Sequence, residues 1–373
     1  MRILVVNSFV GRGAGGQERV ALDLAIGLAR MGHSVSILGP YSRCEDLRRQ
    51  IPSNITVFEE PWARRTSGEE SAAGLFRSAL RIIRHQRIEI VSGHGRMFPV
   101  WLACRLARVP LVWTLHGAAT ALDPRRFDLK SAAVRVAFRR LLEGKLAHIV
   151  GVSEFTRICF LQMIKLANHS KVSVIRNGSA ALPLLSNMPV PTFKGVLRLG
   201  YVGRIENCKG IFDFAPLCQR LLELGVPFSL RIYGNGSEEE RLRCALGRWM
   251  RDGVVSFEGY EGDPRKIYSS FDVLVHPARA EWLGMSLIEC QAAARVVVAY
   301  RSGGVPEIIT DSVSGFTLPV GDTDSMASTV ESLYKNPAVA VQIALKAREM
   351  VKTHCSLDRM CRDYELLFEE VLC

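Results

Sequence analysis

Arg204 and Lys209 lie five residues apart in Gly203-Arg204-Ile205-Glu206-Asn207-Cys208-Lys209-Gly210. A turn of that length lets both cations reach one anion, the guanidinium as a fork for phosphate oxygens and the ammonium as a point charge. A second segment, Glu281-Trp282-Leu283-Gly284-Met285-Ser286-Leu287-Ile288-Glu289, sets two carboxylates eight residues apart around Gly284. Glu281 then falls in a loop and Glu289 about one turn into a helix. The start of that helix, at Gly284, Met285 and Ser286, would aim unpaired backbone amides at a phosphate. Carboxylates, for their part, accept paired hydrogen bonds from vicinal hydroxyls. Downstream, Pro306 and Glu307 of Ser302-Gly303-Gly304-Val305-Pro306-Glu307 suit a first helical turn. Asp322-Thr323-Asp324 spells a metal-binding pair but stands at an expected helix start, so Asp322 is expected to be a cap and no metal site is expected.

The N-terminal half has Gly11-Arg12-Gly13-Ala14-Gly15-Gly16 between a strand and a helix. Glycines at Gly15 and Gly16 let backbone approach a phosphate or sugar closely. A dinucleotide site would also need an acid closing the second strand to hold a ribose. That strand ends Leu38-Gly39-Pro40, and the next acid is Glu45, which argues against NAD. His116 stands at the tip of an expected strand, Leu111–Leu115, just before Gly117. Strand tips are where ligands bind in open α/β sheets.

These residues need a scaffold, and the hydrophobic pattern supplies one. Apolar runs alternate with amphipathic stretches, the sign of parallel α/β units. Strands are expected at Arg2–Phe9, Ser34–Leu38, Glu89–Ser92, Leu111–Leu115, His148–Val152 and Val172–Ile175. A second series is expected at 197–203, Ser229–Tyr233, Val254–Phe257, Val273–His276 and Val296–Tyr300, with three closing helices. Between the two series, Pro183, Pro189 and Pro191 break the rhythm. The expected division is an N-terminal Rossmann-like domain over 1–180, a linker over 181–195 and a C-terminal Rossmann-like domain over 196–355. A last helix over 356–373 is expected to cross back to the first domain. A chain of 373 residues fits two domains. No apolar run reaches the ~18–20 residues of a membrane span, and no export signal is read at the N-terminus, so a cytoplasmic protein is expected. The ten cysteines show no Cys-x-x-Cys pair and are expected to be reduced.

Together, Gly15-Gly16-Gln17-Glu18, Thr114-Leu115-His116-Gly117, Val152-Ser153-Glu154, Arg176-Asn177-Gly178, Gly203-Arg204…Lys209-Gly210, Glu281…Glu289 and Gly303-Gly304-Val305-Pro306-Glu307 resemble the retaining GT-B glycosyltransferases of group 1, or family four. Glycogen synthase-like, lipopolysaccharide and mannosyl transferases are relatives there. The resemblance implies an α/β GT-B fold, with two Rossmann-like domains whose parallel sheets face a central cleft. It implies transfer of a hexose-type sugar from a UDP- or GDP-linked donor. Arg204 and Lys209 would bind the diphosphate and steady its leaving charge. Glu289 would hold the ribose and Glu281 the sugar hydroxyls. Gly203, Gly284, Met285 and Ser286 would line the donor, Gly15 and Gly16 would face it, and His116 would sit near the transferred sugar. The chain departs from the family at Trp282-Leu283, beside the sugar pocket. No cofactor or metal is expected. Other enzymes of this fold, such as a nucleotide-sugar epimerase or a phosphorylase, are the nearest alternatives.

Charge points to the acceptor. Residues 1–195 hold 28 Lys and Arg against 13 Asp and Glu, while residues 196–373 hold 20 against 24. Arg77, Arg81, Arg84 and Arg87 are spaced to form one helical stripe, and Arg125, Arg126, Lys130, Arg135, Arg139, Arg140 and Lys145 follow. Such a face suits an anionic membrane surface, and with it a lipid-linked or envelope-glycan acceptor at the inner face of the cytoplasmic membrane. A soluble small-molecule acceptor is the alternative. Nucleic acid is not expected, because no aromatic residues interleave with the basic ones.

Overall fold

A computed structural model of the chain describes residues 1–8, 15–59, 72–117, 136, 147–164 and 169–373. Gly11–Ala14 of the glycine run, and the basic residues Arg125, Arg126, Lys130, Arg135, Arg139, Arg140 and Lys145, lie outside the described residues. The chain divides into two compact units, Met1–Gly178 with Leu357–Cys373, and Ser179–Ser356.

The first unit is built on seven parallel strands: β1 (Arg2–Asn7), β2 (Ser34–Leu38), β3 (Thr56–Phe58), β4 (Ile90–His94), β5 (Leu111–Leu115), β6 (Ala147–Gly151) and β7 (Val172–Val174). They lie in the order β3-β2-β1-β4-β5-β6-β7. Strands β4, β5 and β6 are buried along their whole length. That is why they carry no charged residue and show no regular alternation of apolar and polar positions. The helix Gly16–Arg30 buries Val20, Leu24 and Leu28, and the closing helix Leu357–Leu372 packs in this unit beside it. A Cβ on Gly27 would stand 2.2 Å from Cys361 Sγ, and Tyr364 OH meets Thr114 Oγ1 at 2.7 Å. The helix Ala72–His85 buries Leu75, Ala79, Ile82 and Ile83 and exposes Arg77, Arg81 and Arg84. Arg87 does not continue that stripe. The helix ends at His85, the Ile88 amide returns to Ile83 O at 3.0 Å, and Arg87 takes the left-handed position after the helix at φ 50°. Glycine is the usual occupant there.

The second unit holds β8 (Leu197–Val202), β9 (Phe228–Tyr233), β10 (Val255–Gly259), β11 (Val273–His276), β12 (Val296–Tyr300) and β13 (Phe316–Leu318), parallel and in the order β10-β9-β8-β11-β12-β13. Its core gathers Leu199, Tyr201, Ile211, Phe214, Leu230 and Val298. Residues 181–195, expected to be a linker, pack onto this unit. Leu182–Leu185 forms a helical turn, Phe193 is buried, and Arg295 and Arg348 donate to the carbonyls of Pro189 and Met188. Strands β3 and β13 have no counterpart among the strands expected from sequence. Both are three-residue edge strands, partly exposed, and too short to show a periodic pattern.

In each sheet the chain runs outward in one direction and then crosses to the other side. The crossing falls between β1 and β4 in the first unit and between β8 and β11 in the second. At such a point the loops after two neighbouring strands diverge and leave a crevice at the strands' carboxyl ends.

Candidate active site

In the second unit that crevice is bounded by the loops after β8 and β11. Glycine makes their close approach possible. Gly210 has φ +65°, and a Cβ there would lie 1.9 Å from Pro277 O. The Arg279 amide donates to Cys208 O at 3.0 Å, tying the two loops together. Tyr201 OH donates to Arg204 O at 2.7 Å and anchors the first loop from beneath. The 3-10 turn Asn207–Lys209 then delivers Lys209 to Glu281, with Nζ donating to Oε2 at 2.7 Å. Both side chains are nearly enclosed, at 15% and 10% exposure. Glu281 Oε2 also meets His276 Nε2 at 2.9 Å, and Oε1 accepts from the Trp282 amide at 3.2 Å. Burial alone would raise the Glu281 carboxyl. The His276 hydrogen bond and the Lys209 charge outweigh it and hold the carboxyl at about 2. The group is a carboxylate at any physiological pH.

Gly284, at φ +93°, opens the helix Met285–Ala292 without a side-chain cap. The amides of Met285 and Ser286 make no hydrogen bond among the described residues, and their direction favours an anion. Glu289, in the same helix, accepts from Tyr268 OH at 3.0 Å and from Ser179 Oγ at 3.3 Å. Burial, followed by the Glu289 charge, pushes the Tyr268 phenol well above its usual range, so it stays a donor. Gly203 lies beside Gly234, where a Cβ would stand 2.0 Å from Gly203 O. Arg204 is exposed, and its guanidinium makes no hydrogen bond or ion pair among the described residues. The structure thus joins Lys209 to Glu281, while Arg204 has no hydrogen bond or ion pair to either. Asp322 caps the helix Thr323–Lys335 by accepting from the Ser325 amide at 2.9 Å.

The matching crevice of the first unit lies after β1 and β4. Ser8 N donates to His94 O, and Ser8 Oγ accepts from the Arg96 amide at 2.8 Å. Gly95, at φ +101°, would place a Cβ 2.4 Å from Ser8 Oγ. Gly15 precedes the helix that begins at Gly16, and Gln17 Nε2 donates to Asn7 Oδ1 at 3.2 Å. His116 Nε2 lies 2.8 Å from Nδ1 of His94, which ends β4 and whose Nε2 lies 3.3 Å from Ser92 Oγ. Burial pushes His116 down to about 3, and burial with the neighbouring His116 pushes His94 well below the usual range. Both rings are neutral, fit for hydrogen bonding rather than for charge pairing.

His276, Tyr268 and His94 were not singled out from the sequence. His276 ends an expected strand, the same signal that marks His116, so that rule applied evenly would have found it, whereas His94 lies two residues past the expected end of Glu89–Ser92 and ends its strand only in the structure. Tyr268 carries no such signal.

Two parallel α/β units, each with a switch point in its strand order, define a pair of Rossmann-like domains. The description Glycosyltransferase Family 4 matches residues 14–179, and Glycosyl transferases group 1 matches residues 197–336. The chain belongs to this family of glycosyltransferases. It is 32% identical over 160 residues to alpha-D-kanosaminyltransferase of Streptomyces kanamyceticus, a match spanning 42% of this chain and 41% of that one. Over a 386-residue alignment it is 25% identical to glycogen synthase of Mycobacterium tuberculosis strain H37Rv, spanning 94% of this chain and 90% of the relative. The crystal structure of Anabaena HepE in complex with UDP-glucose matches with a TM-score of 0.78 at 18% identity, over 99% of this chain and 100% of that one. That likeness is one of fold, the GT-B architecture.

Proposed function

We propose that this glycosyltransferase moves a hexose-type sugar from a UDP- or GDP-linked donor to a hydroxyl of a lipid-linked or envelope-glycan acceptor, retaining the anomeric configuration. The observation that carries the donor reading is the meeting of Lys209 and Glu281 between the loops after β8 and β11, at the switch point of the sheet. Arg204 and Lys209 are assigned the diphosphate and the negative charge that grows on it as the bond breaks. Preorganised cations of this kind are usually the largest contribution to such a reaction. Glu281 is assigned the sugar hydroxyls, Glu289 the ribose hydroxyls, and the Met285 and Ser286 amides the phosphate. In the first unit, Gly15, Gly16 and His116 are assigned contact with the transferred sugar during the reaction.

Glu281 is bound by Lys209, His276 and a backbone amide, which suits it to holding a ligand rather than to covalent attack. Retention is therefore assigned to front-face attack by the acceptor hydroxyl, and not to a double displacement by a carboxylate pair. Two cations carry the charge stabilisation, so turnover without added metal is expected.

For the acceptor, the support is the exposed row Arg77, Arg81 and Arg84 and the helix Phe98–Ala107, which packs against theirs and exposes Leu102 and Leu106. Exposed basic and apolar side chains on two packed helices suit the headgroup region of an anionic membrane. Among the described residues no helix is long and apolar enough to cross one. The relative named glycogen synthase is in keeping with a polysaccharide product.

A thermal-shift panel of nucleoside diphosphates and their sugars tests the donor reading. A ligand at a hundred times its Kd stabilises the native state by about 2.7 kcal/mol, enough for a rise of several degrees. At least one UDP- or GDP-linked sugar should produce that rise. No response to any member would overturn the reading.

A further inference from the structure

The Glu281 carboxylate has two partners on one oxygen, and they are not equivalent. Lys209 reaches Oε2 from a loop, through a flexible stem that retains some exposure. His276 reaches the same oxygen from the last position of β11, where it is 2% exposed and its backbone is paired into the sheet beside Ala299. Its Nδ1 is buried and meets no hydrogen-bond partner. The ring hydrogen that a carboxylate requires must be on Nε2, and among the described residues nothing else hydrogen-bonds the ring. All of its hydrogen bonding is committed to Glu281.

This inequality matters when a donor arrives, on the reading proposed above in which Lys209 takes the diphosphate and Glu281 the sugar. A diphosphate beside Lys209 competes with Glu281 for the same three N–H groups. The carboxylate then loses its ion pair while it is still enclosed, at the moment it must present Oε1 and Oε2 to sugar hydroxyls. We propose that His276 is the positioning residue that keeps Glu281 aimed at the sugar once Lys209 is drawn to the diphosphate. Lys209 is the exchangeable partner and His276 the fixed one. Charge-assisted hydrogen bonds are the strong class, and a buried carboxylate stripped of one is poorly held.

The role predicts a split that loss of packing would not produce. His276→Phe keeps a ring and removes the donor; His276→Gln keeps an N–H near the place of Nε2. With UDP and UDP-glucose as probes in calorimetry, His276→Phe should weaken UDP-glucose about tenfold or more and UDP by less than about threefold, and His276→Gln should recover most of the loss. Equal weakening of both ligands in a folded His276→Phe protein would overturn the proposal, as would a Gln variant no better than Phe. A second readout does not depend on the donor. Carbon NMR of Glu281 in the free protein should show its carboxyl titrating at higher pH in His276→Phe than in the wild type, and an unmoved titration would equally overturn the proposal. If the wild type binds neither probe, the choice of donor fails while this second readout still decides the role of His276.

Discussion

Lys209→Met keeps the length and apolar stem of the side chain and removes the ammonium. Glu281 is then left enclosed with His276 and the Trp282 amide. In the wild type, burial raises the Glu281 carboxyl, but the His276 bond and the Lys209 charge bring it from 4.5 to about 2. The interval between these values is worth roughly 3 kcal/mol of native stability at neutral pH. Because the folded value is the lower one, this stabilisation is present above about pH 4.5 and disappears as pH falls towards 2. The variant should lose part of this at pH 7, less than the roughly 3–5 kcal/mol of stranding a fully buried charge, because His276 and the Trp282 amide still hold the carboxylate. Its Glu281 takes up a proton at higher pH than the wild type does, so the gap should narrow between pH 5 and pH 3. Urea unfolding at pH 7, 5 and 4 measures this, and kcat should fall at least ~100-fold in the same protein. A variant as stable as the wild type at pH 7, or a gap that does not narrow in acid, would refute the electrostatic reasoning. Near-normal kcat would refute the role of Lys209 in turnover.

Glu281→Gln should keep nucleoside diphosphate affinity and lose transfer, whereas Glu289→Ala should weaken the nucleoside diphosphate itself; calorimetry showing the reverse would mean the two roles are exchanged. Activity should survive EDTA, and full loss restored by magnesium or manganese would contradict charge stabilisation by Arg204 and Lys209 alone. Changing Arg77, Arg81 and Arg84 to Gln should reduce cosedimentation with phosphatidylglycerol vesicles at low salt and leave donor binding intact, since each basic residue near an anionic surface contributes about 1 kcal/mol. Wild-type protein that ignores such vesicles would turn the acceptor reading towards a soluble molecule.

What the sequence shows depends on the range of the interaction. Strands β5, β11 and β12 stand out because burial on both faces favours runs with few polar residues, and the expected limits of all three agree with the structure. Arg77, Arg81 and Arg84 are equally plain, because helical spacing alone puts them on one side. Arg87 was misread, since only the return of Ile88 to Ile83 O reveals that the helix has already closed. The pairing of Lys209 with Glu281 spans 72 residues and depends on β8 and β11 being neighbours, an order that no local pattern encodes. His276 ends an apolar run, the same signal that marks His116, but its partner does not show in the sequence: only the loop beyond the strand, folding back, sets the Glu281 carboxylate against the ring.

On the proposed reading, the loops after β8 and β11 hold the donor's diphosphate. The most direct measurement titrates wild type, Arg204→Ala and Lys209→Ala with the nucleoside diphosphate that raises the melting temperature most. Each substitution removes a charge-assisted contact, so each should weaken binding at least tenfold while the protein stays folded. Unchanged affinity in both variants would place the diphosphate elsewhere and contradict the account.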